Sequence, residues 1–125
     1  MAYGTFGGGN GTQATPFLIE DIADLNAIRT KPTLYYKLVN NLDMKGSSFN
    51  DAVKGWTPIS SFSGYFDGNY HNIRNLTIND TTLKGAGLFA DITTKGELHN
   101  LGLIDVSIKG GSQTNHCICG NEVVS

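Results

Sequence analysis

Four aspartates follow short apolar segments, where a carbohydrate-active enzyme would hold its acids: Asp43, Asp67, Asp91 and Asp105. A glycosidase needs two carboxyl groups at a defined separation, one as acid and one as nucleophile or base. Under the internal repeat described below, Asp67 falls on Ala90 and gains no acidic partner. Asp67 also precedes a Gly-Asn pair, where aspartate is expected to stabilise a turn. We therefore predict no catalytic residue and a protein that is not an enzyme.

A second candidate for chemistry is the segment His116-Cys117-Ile118-Cys119, which offers ligands for a soft metal ion. Closed zinc sites use four ligands, usually as two spaced pairs, and His71 and His99 lie in other parts of the repeat. Cysteines two apart on a strand point the same way and form a poor disulfide. We favour core packing for Cys117 and Cys119, leave any further role open, and predict no metal and no cofactor.

Aromatic side chains are the third candidate, as a glycan-binding face. Tyr35, Tyr36, Tyr65 and Tyr70 would form such a face if they pointed outward. Because aromatic residues on strands usually pack against neighbours, we favour the alternative that alternate members fill the core. His71 and His99 are predicted at exposed or corner positions.

The elements that must position these residues are short. Residues 20–31 form the one convincing helix, since Ile22, Leu25 and Ile28 make an apolar stripe and Pro32 stops the segment. Strands are predicted on either side of it, at Pro16–Ile19 and around Tyr35 and Tyr36.

The stretch Phe62–Ile78 is the most informative part of the chain. Aromatics surround a glycine, a turn is predicted at Asp67-Gly68-Asn69, and one strand with an irregularity near Asn75 is predicted to follow. The pairs Asp-Gly and Gly-Asn supply the positive φ angles of such a turn.

A second copy of this stretch follows it. Asn72–Ile78 aligns with Glu97–Leu103, which sets Asn75 on Asn100, and a weaker copy begins at Asn41. A period in the twenties with short strands and glycine corners predicts an all-β solenoid, whose turns stack on one another. The asparagines of successive turns would then form a ladder, or would alternatively be independent turn residues.

Composition narrows the classes of function. The chain has 125 residues, 39% of them hydrophobic, with 16 glycines, which fits one folded domain with many tight turns. The formal net charge is −2 without any basic run, so nucleic-acid binding is not expected. No apolar run approaches the roughly 20 residues of a membrane span, so membrane insertion is not expected.

The motifs resemble a known family. Trp56-Thr57-Pro58-Ile59 followed by Phe62–Ile78 is similar to the W-x-P-I … F-x-G-x-F-D-G-N-G-H-x-I-x-N-L-x-I signature of GLUG-type parallel β-helix proteins, with Tyr70 in place of a glycine. Gly11–Ile19 resembles the opening of those proteins. The resemblance implies a short right-handed parallel β-helix (β-solenoid) with one N-terminal capping α-helix at about 20–31. Domains of this family occur in bacterial surface and adhesin-like proteins and in virion proteins of bacteriophages, so the resemblance implies a role of one of these two kinds.

The ends of the chain shape the expected assembly. Residues 1–15 are predicted as a flexible or attachment arm, and residues 16–125 as a single β-helix domain. The start has neither a basic nor an apolar signal region. The chain stops just after the repeat without a second cap, so another protein chain is expected to cover that end, with Val123 and Val124 as assembly residues.

These observations lead to one functional prediction with alternatives. The first is a non-enzymatic structural component of a phage virion, as a capsid decoration, head fibre or tail-associated protein, bound to other virion proteins or to itself as a homo-oligomer. The alternative is an extracellular or cell-surface adhesion module that binds a host-surface glycan, as a fragment of a longer chain. A degenerate polysaccharide-active enzyme comes third. The structural residues assigned to turns and ladder are Asn41, Asp67, Gly68, Asn69, Asn75 and Asn100.

Overall fold

The interior is built from the inward members of short strands, on which apolar and polar side chains alternate. The computed structural model describes residues 6–47, 54–80, 88–90, 92–93, 95–110 and 122–124. In this part of the chain strands dominate and helix is scarce, as the all-β prediction requires. The largest fully buried side chains are those of Trp56, Tyr36, Phe62, Phe66 and Phe89. The indole of Trp56 also donates its N–H to the carbonyl of Leu88 at 3.0 Å, so no polar group of this ring is left unpaired.

The strands within the described residues are β1 (Phe17–Ile19), β2 (Tyr35–Leu38), β3 (Leu42–Asp43), β4 (Tyr65–Asp67), β5 (Asn72–Arg74), β6 (Thr77–Asp80), β7 (Glu97–His99), β8 (Leu101–Ile104), β9 (Ser107–Gly110) and β10 (Glu122–Val124). They form a first sheet in the order β1-β2-β4-β7, a second in the order β3-β5-β8-β10 and a third of β6 and β9. All neighbours are parallel except β8 and β10. The two passes β4-β5-β6 and β7-β8-β9 therefore each add one strand to each of the three sheets, in the same order.

The helix predicted at about 20–31 is confirmed. It comprises α1 (Ile22–Ala27) and a 3₁₀ turn (Ile28–Thr30). Asp21 caps it by accepting the Asp24 N–H at 2.8 Å. Leu25 and Ile28 are fully buried in the core, which fixes the helix against the first strand.

The register of the sheets corrects the predicted repeat. Tyr35 pairs with Tyr65, Tyr65 with Glu97, and Ile78 with Ile108. Each pass is therefore longer than the predicted period, and the predicted equivalence of Asn75 and Asn100 is wrong. It arose because two corners of one type have similar sequences although they join different pairs of sheets.

The stretch Phe62–Ile78 consequently contains more than one corner and one strand. It holds β4, β5 and β6, one strand from each sheet, and the irregularity predicted near Asn75 is a corner between β5 and β6. Phe66 pairs with Leu98, and Asp67 pairs with His99 and not with Ala90. The Leu98 side chain is the inward member of β7 and continues the buried row begun by Tyr36 and Phe66.

Residues 6–15, part of the predicted arm, lie against the first sheet. Gly7 donates its N–H to the Leu18 carbonyl at 2.8 Å, and Leu18 donates to Gly8 at 3.0 Å. Phe6 stacks on Phe17 with ring centroids 4.5 Å apart. The Phe6 N–H is accepted by the buried Asp24 carboxylate at 3.0 Å. These bonds cover the free edge of β1.

The C-terminal strand β10 pairs with strand β8 of the same chain. Glu122–Val124 pair antiparallel with Leu101–Leu103 of β8, so the edge of the second sheet, predicted to be open, is covered within the chain. An assembly role for Val123 and Val124 stays a prediction. Cys117, Cys119 and His116 lie outside the described residues, as does Asp91.

Burial of Tyr36 predicts a loss of stability in alkali. Its hydroxyl donates to the Lys31 carbonyl at 2.6 Å, and burial raises the pKa of Tyr36 to about 12 from about 10 in an unfolded chain. The folded state holds this proton more tightly, so the stabilisation is complete below about pH 10 and is lost as the pH rises through 12. We expect the free energy of unfolding to fall by roughly 2 kcal/mol over this interval through Tyr36 alone.

Urea unfolding between about pH 9 and pH 12 measures this loss, with Tyr36→Phe as the control. The Phe variant lacks the ionisable hydroxyl, so its stability should decline less steeply over that interval. Parallel curves for the two proteins would contradict the assignment.

Candidate functional site

Four of the corners between sheets contain a residue at positive φ, namely those that follow β4, β5, β7 and β8. Asn75 (φ 60°) lies between β5 and β6, and Asp105 (φ 55°) takes the same place between β8 and β9 on the next pass. Asn100 (φ 56°) lies between β7 and β8. Asparagine and aspartate tolerate this conformation better than other residues with a side chain. The residue types at Asn75, Asn100 and Asp105 therefore suit the backbone conformation of their corners.

The predicted asparagine ladder is replaced by contacts between asparagine and aspartate. Asn75 Nδ2 donates to Asp43 Oδ1 at 2.7 Å, and Asn100 Nδ2 lies 3.4 Å from Asp67 Oδ1. Asn41 Oδ1 instead accepts the backbone N–H of Asn72 at 2.9 Å. The ladder was wrong because Asn41, Asn75 and Asn100 do not occupy equivalent positions in the register.

The turn at Asp67-Gly68-Asn69 is present, with a different division of roles. Asp67 Oδ1 accepts the Asn69 N–H at 2.8 Å, and positive φ angles occur at Asn69 (52°) and Tyr70 (63°). A Cβ on Gly68 would lie 2.5 Å from Leu101 Cα on the next pass. Gly68 is thus required by close approach of two backbones and not by a positive φ.

The outer face of the first sheet carries the candidate site. Tyr36 and Phe66 point inward, so their neighbours on β2 and β4 point outward in two rows across the strands. One row contains Tyr35, Tyr65 and Glu97, and the second contains Lys37, Asp67 and His99. We call these six side chains the outer-face rows.

The aromatic members of these rows form a stacked column. The Tyr35 and Tyr65 ring centroids are 5.5 Å apart with 28° between the planes, and Tyr65 and His99 are 5.0 Å apart at the same angle. His99 Nε2 lies 3.1 Å from Glu97 Oε1. The sequence favoured an arrangement in which alternate tyrosines fill the core. Tyr36 does fill the core, whereas Tyr35 and Tyr65 point outward and form the aromatic face that was considered as the other possibility.

A cleft of about 390 Å³ opens beside this column. Its floor is formed by Tyr35, Tyr65, Lys37, Asp67 and Glu97. The loop that precedes β1 forms its wall with Gln13, Ala14 and Pro16.

That wall is held by backbone hydrogen bonds. The Asn10 N–H and the Gly11 N–H both donate to the Thr15 carbonyl, and the Tyr35 N–H donates to the Gly11 carbonyl at 3.0 Å. The cleft volume falls within the roughly 300–1,000 Å³ of small-molecule sites.

Burial and nearby charges act on the phenol of Tyr65. Burial, followed by the negative charges of Asp67 and Glu97, raises the pKa of Tyr65 above its ordinary value. The hydroxyl of Tyr65 therefore keeps its proton at neutral pH and remains a hydrogen-bond donor.

Sequence reasoning placed some of these residues and missed others. His71 was predicted at an exposed or corner position and contacts Asn41 Oδ1 at 3.2 Å on the exposed corner before β5. Lys37, Glu97 and Gln13 were not singled out. The alternation Tyr35-Tyr36-Lys37 identifies Lys37 as an outward residue. Glu97 can be placed on the same cleft only once the register between passes is known.

The described ranges contain neither a candidate membrane-spanning helix nor a candidate metal-binding group. No helix there is long and apolar enough to cross a bilayer. In the same ranges, no three His, Cys, Asp or Glu side chains form a group that would hold a metal ion.

Similar proteins place the chain among much longer ones. No family model matches it. It is 35% identical over 111 residues to halomucin of Haloquadratum walsbyi, covering 84% of this chain and 1% of that protein. It is 31% identical over 124 residues to a protein of Evansella cellulosilytica described as a Gly-rich membrane protein, covering 93% of this chain and 14% of that protein. The chain thus spans a small share of both relatives.

One solved structure has a similar fold. It is a protein of Bacteroides ovatus described as a candidate immunoglobulin A1 protease, with a TM-score of 0.65 and 23% sequence identity. The likeness covers 84% of this chain and 31% of that chain. At this identity the likeness concerns the fold alone.

Variants of Asn75 test the corner contacts. The Asn75 amide, and then the Lys45 backbone N–H, hold the pKa of Asp43 below its ordinary value. Asn75→Gly keeps the backbone conformation and loses the amide, whereas Asn75→Ala loses both. We expect the Asp43 pKa to rise in both variants by NMR titration, and Asn75→Ala to unfold more easily than Asn75→Gly by about 1 kcal/mol. An unchanged Asp43 pKa in both would contradict the contact.

Gly68→Ala tests the close approach between passes. The added methyl group meets backbone atoms, which cannot rotate away, so we expect a loss of roughly 2–3 kcal/mol in urea unfolding. Gly102→Ala is the matched control, because its Cβ would meet Asn72 Cβ at an ordinary 3.5 Å. Equal losses in the two variants would show that the clash at Gly68 is relieved by movement of the corner.

Proposed function

We propose that this chain is a non-catalytic binding module of a longer cell-envelope protein and acts in adhesion through the outer face of its first sheet. The observation that carries this proposal is the cleft beside the Tyr35–Tyr65–His99 column, which combines aromatic and charged side chains on a rigid sheet. Concave sites with a few convergent polar groups are the usual form of binding sites.

The scaffold belongs to the same proposal. We propose that successive passes of the chain are turns of a right-handed parallel β-helix of GLUG type, whose faces are the three sheets, and that the helical segment 22–30 covers its first turn. Two features support this. The passes β4-β5-β6 and β7-β8-β9 visit the three sheets in the same order, and the spacing from Tyr35 to Tyr65 equals the spacing from Ile78 to Ile108. Parallel crossovers in one sheet are right-handed in nearly all proteins.

The relatives support a place in the cell envelope. Their names are those of a mucin and of a membrane protein, and both proteins extend far beyond the matched segment. A module of a long protein needs a surface for its ligand and ends that continue into neighbouring modules.

The predicted role in a phage particle is less well supported. Neither relative's name nor the description of the solved neighbour refers to a virion. A surface module accounts for the exposed site without a particle, so it replaces the virion protein as the leading hypothesis.

Lack of catalysis is also part of the proposal. The solved neighbour is described as a candidate protease, but its likeness to this chain is one of fold, and fold does not define activity. Of the acids considered from the sequence, Asp43 and Asp67 accept hydrogen bonds at corners, which accounts for them structurally.

A bead-binding experiment tests the adhesive role. Beads coated with the chain are applied to arrays of surface glycans and to intact bacterial and archaeal cells. We expect adhesion that free chain inhibits and that Tyr35→Ala/Tyr65→Ala abolishes, since this variant removes the outward column and leaves the core intact.

Tyr70→Ala is the matched control, because Tyr70 is 85% exposed at a corner and does not line the cleft. This variant should adhere as the original chain does. Failure of the original chain to bind any glycan or cell would overturn the adhesive role. Stoichiometric recovery of the chain in purified phage particles would restore the virion hypothesis.

A further inference from the structure

The cleft of the outer-face rows has features that specify the chemistry of its ligand. Its floor presents the two tyrosines with Lys37, Asp67 and Glu97, and Gln13 faces them from the wall. These groups offer donors and acceptors side by side, and one positive charge stands against two negative ones.

Both ring faces of Tyr65, the central member of the column, are already covered. Tyr65 lies between Tyr35 on β2 and His99 on β7, at centroid distances of 5.5 and 5.0 Å, so rings cover both of its faces. A sugar ring cannot stack on Tyr65, as sugars do on an open aromatic platform. Outward side chains stacked in this way present their edges, and the phenol hydroxyls lie at the ends of the rings farthest from the sheet.

The charge and polarity of the cleft disfavour anionic and apolar ligands. The cleft is lined by two negatively charged side chains, Asp67 and Glu97, and by one positively charged side chain, Lys37. The side chain of Glu97 is 60% exposed at the rim. An anionic ligand such as a uronate would meet this excess of negative charge. An apolar ligand would leave the polar groups of the cleft without partners, which costs free energy.

We propose that the cleft binds an uncharged, hydroxyl-rich sugar at the end of a glycan, held edge-on by hydrogen bonds and not by ring stacking. The Tyr35 and Tyr65 hydroxyls, Lys37 and Gln13 donate to the sugar oxygens, and Asp67 and Glu97 accept from its hydroxyl groups. This inference rests on the proposed adhesive function and names the ligand class of the same site.

Removing the hydroxyls of Tyr35 and Tyr65 while keeping their rings distinguishes edge-on binding of a sugar from stacking of a sugar on the rings. The probes are the methyl glycosides of glucose, galactose, mannose and N-acetylglucosamine, with galacturonate as the anionic comparison, and binding is followed by NMR titration of the whole chain. We expect at least one neutral glycoside to bind in preference to galacturonate. The variant Tyr35→Phe/Tyr65→Phe keeps the ring column and loses two hydroxyls, so affinity should fall about tenfold or more.

Tyr70→Phe is the matched control, which loses a hydroxyl outside the cleft and should bind as the original chain does. Glu97→Gln removes a negative charge at the rim and should narrow the preference for the neutral sugar over galacturonate. Thermal unfolding of each variant identifies any that fails to fold.

Several results would overturn the inference. They are full affinity in the double Phe variant, tighter binding of galacturonate than of galactose, and an absence of binding by every neutral glycoside. If the beads still adhere to glycans when the double Phe variant is used, the edge-on site is wrong and the adhesive function stands. If the original chain adheres to nothing, the function itself fails.

Discussion

Parallel pairing of successive passes is the constraint on which the rest of the structure depends. Each strand hydrogen-bonds to the strand directly above it, so all three sheets must rise by the same step of about 4.8 Å per pass. A side chain too large for a corner would push two successive passes apart and break the hydrogen bonds between their strands. Gly68, whose Cβ would lie within 2.5 Å of Leu101 Cα, shows how little room the corners leave.

The same constraint explains why side chains align in rows. Once Tyr36, Phe66 and Leu98 share an inward row, their neighbours must share outward rows. The buried row supplies apolar stabilisation of about 1.5–3 kcal/mol per large side chain. The side chains of the outward rows are only partly buried or exposed, which leaves them available for binding. The same strand register therefore determines both which side chains form the core and which form the candidate site.

Local features were predictable from the sequence, and long-range register was not. The helix near Ile22–Thr30 and the strands at Phe17 and Tyr35 follow from alternation, capping and proline, which act over a few residues. The predicted spacing between passes failed, because the corner at Asn100 resembles the corner at Asn75 more closely than the true equivalent at Asp105 does. Asparagine and aspartate both accept positive φ there, so identity of residue type was a poor guide to equivalence.

The residues of the candidate site could not be predicted from the sequence for a related reason. Whether Tyr35 or Tyr36 points inward is a choice between two faces that either tyrosine could fill. Tyr36 is held inside by the hydrogen bond from its hydroxyl to the Lys31 carbonyl, which lies beside the helical segment. The alternation of residues along a strand cannot predict this contact. Lys37 and Glu97 then meet on one face although almost half of the chain separates them in sequence.

The unequal lengths of successive passes have an evolutionary consequence. The step from Tyr65 to Glu97 is slightly longer than the step from Tyr35 to Tyr65, yet the pairing within the first sheet is continuous. Insertions and deletions are therefore absorbed between strands, without moving the rows. A lineage can lengthen the connections of such a chain, or duplicate whole passes, while selection on the exposed rows proceeds independently. Diversity of ligands and diversity of length can thus accumulate separately in one scaffold.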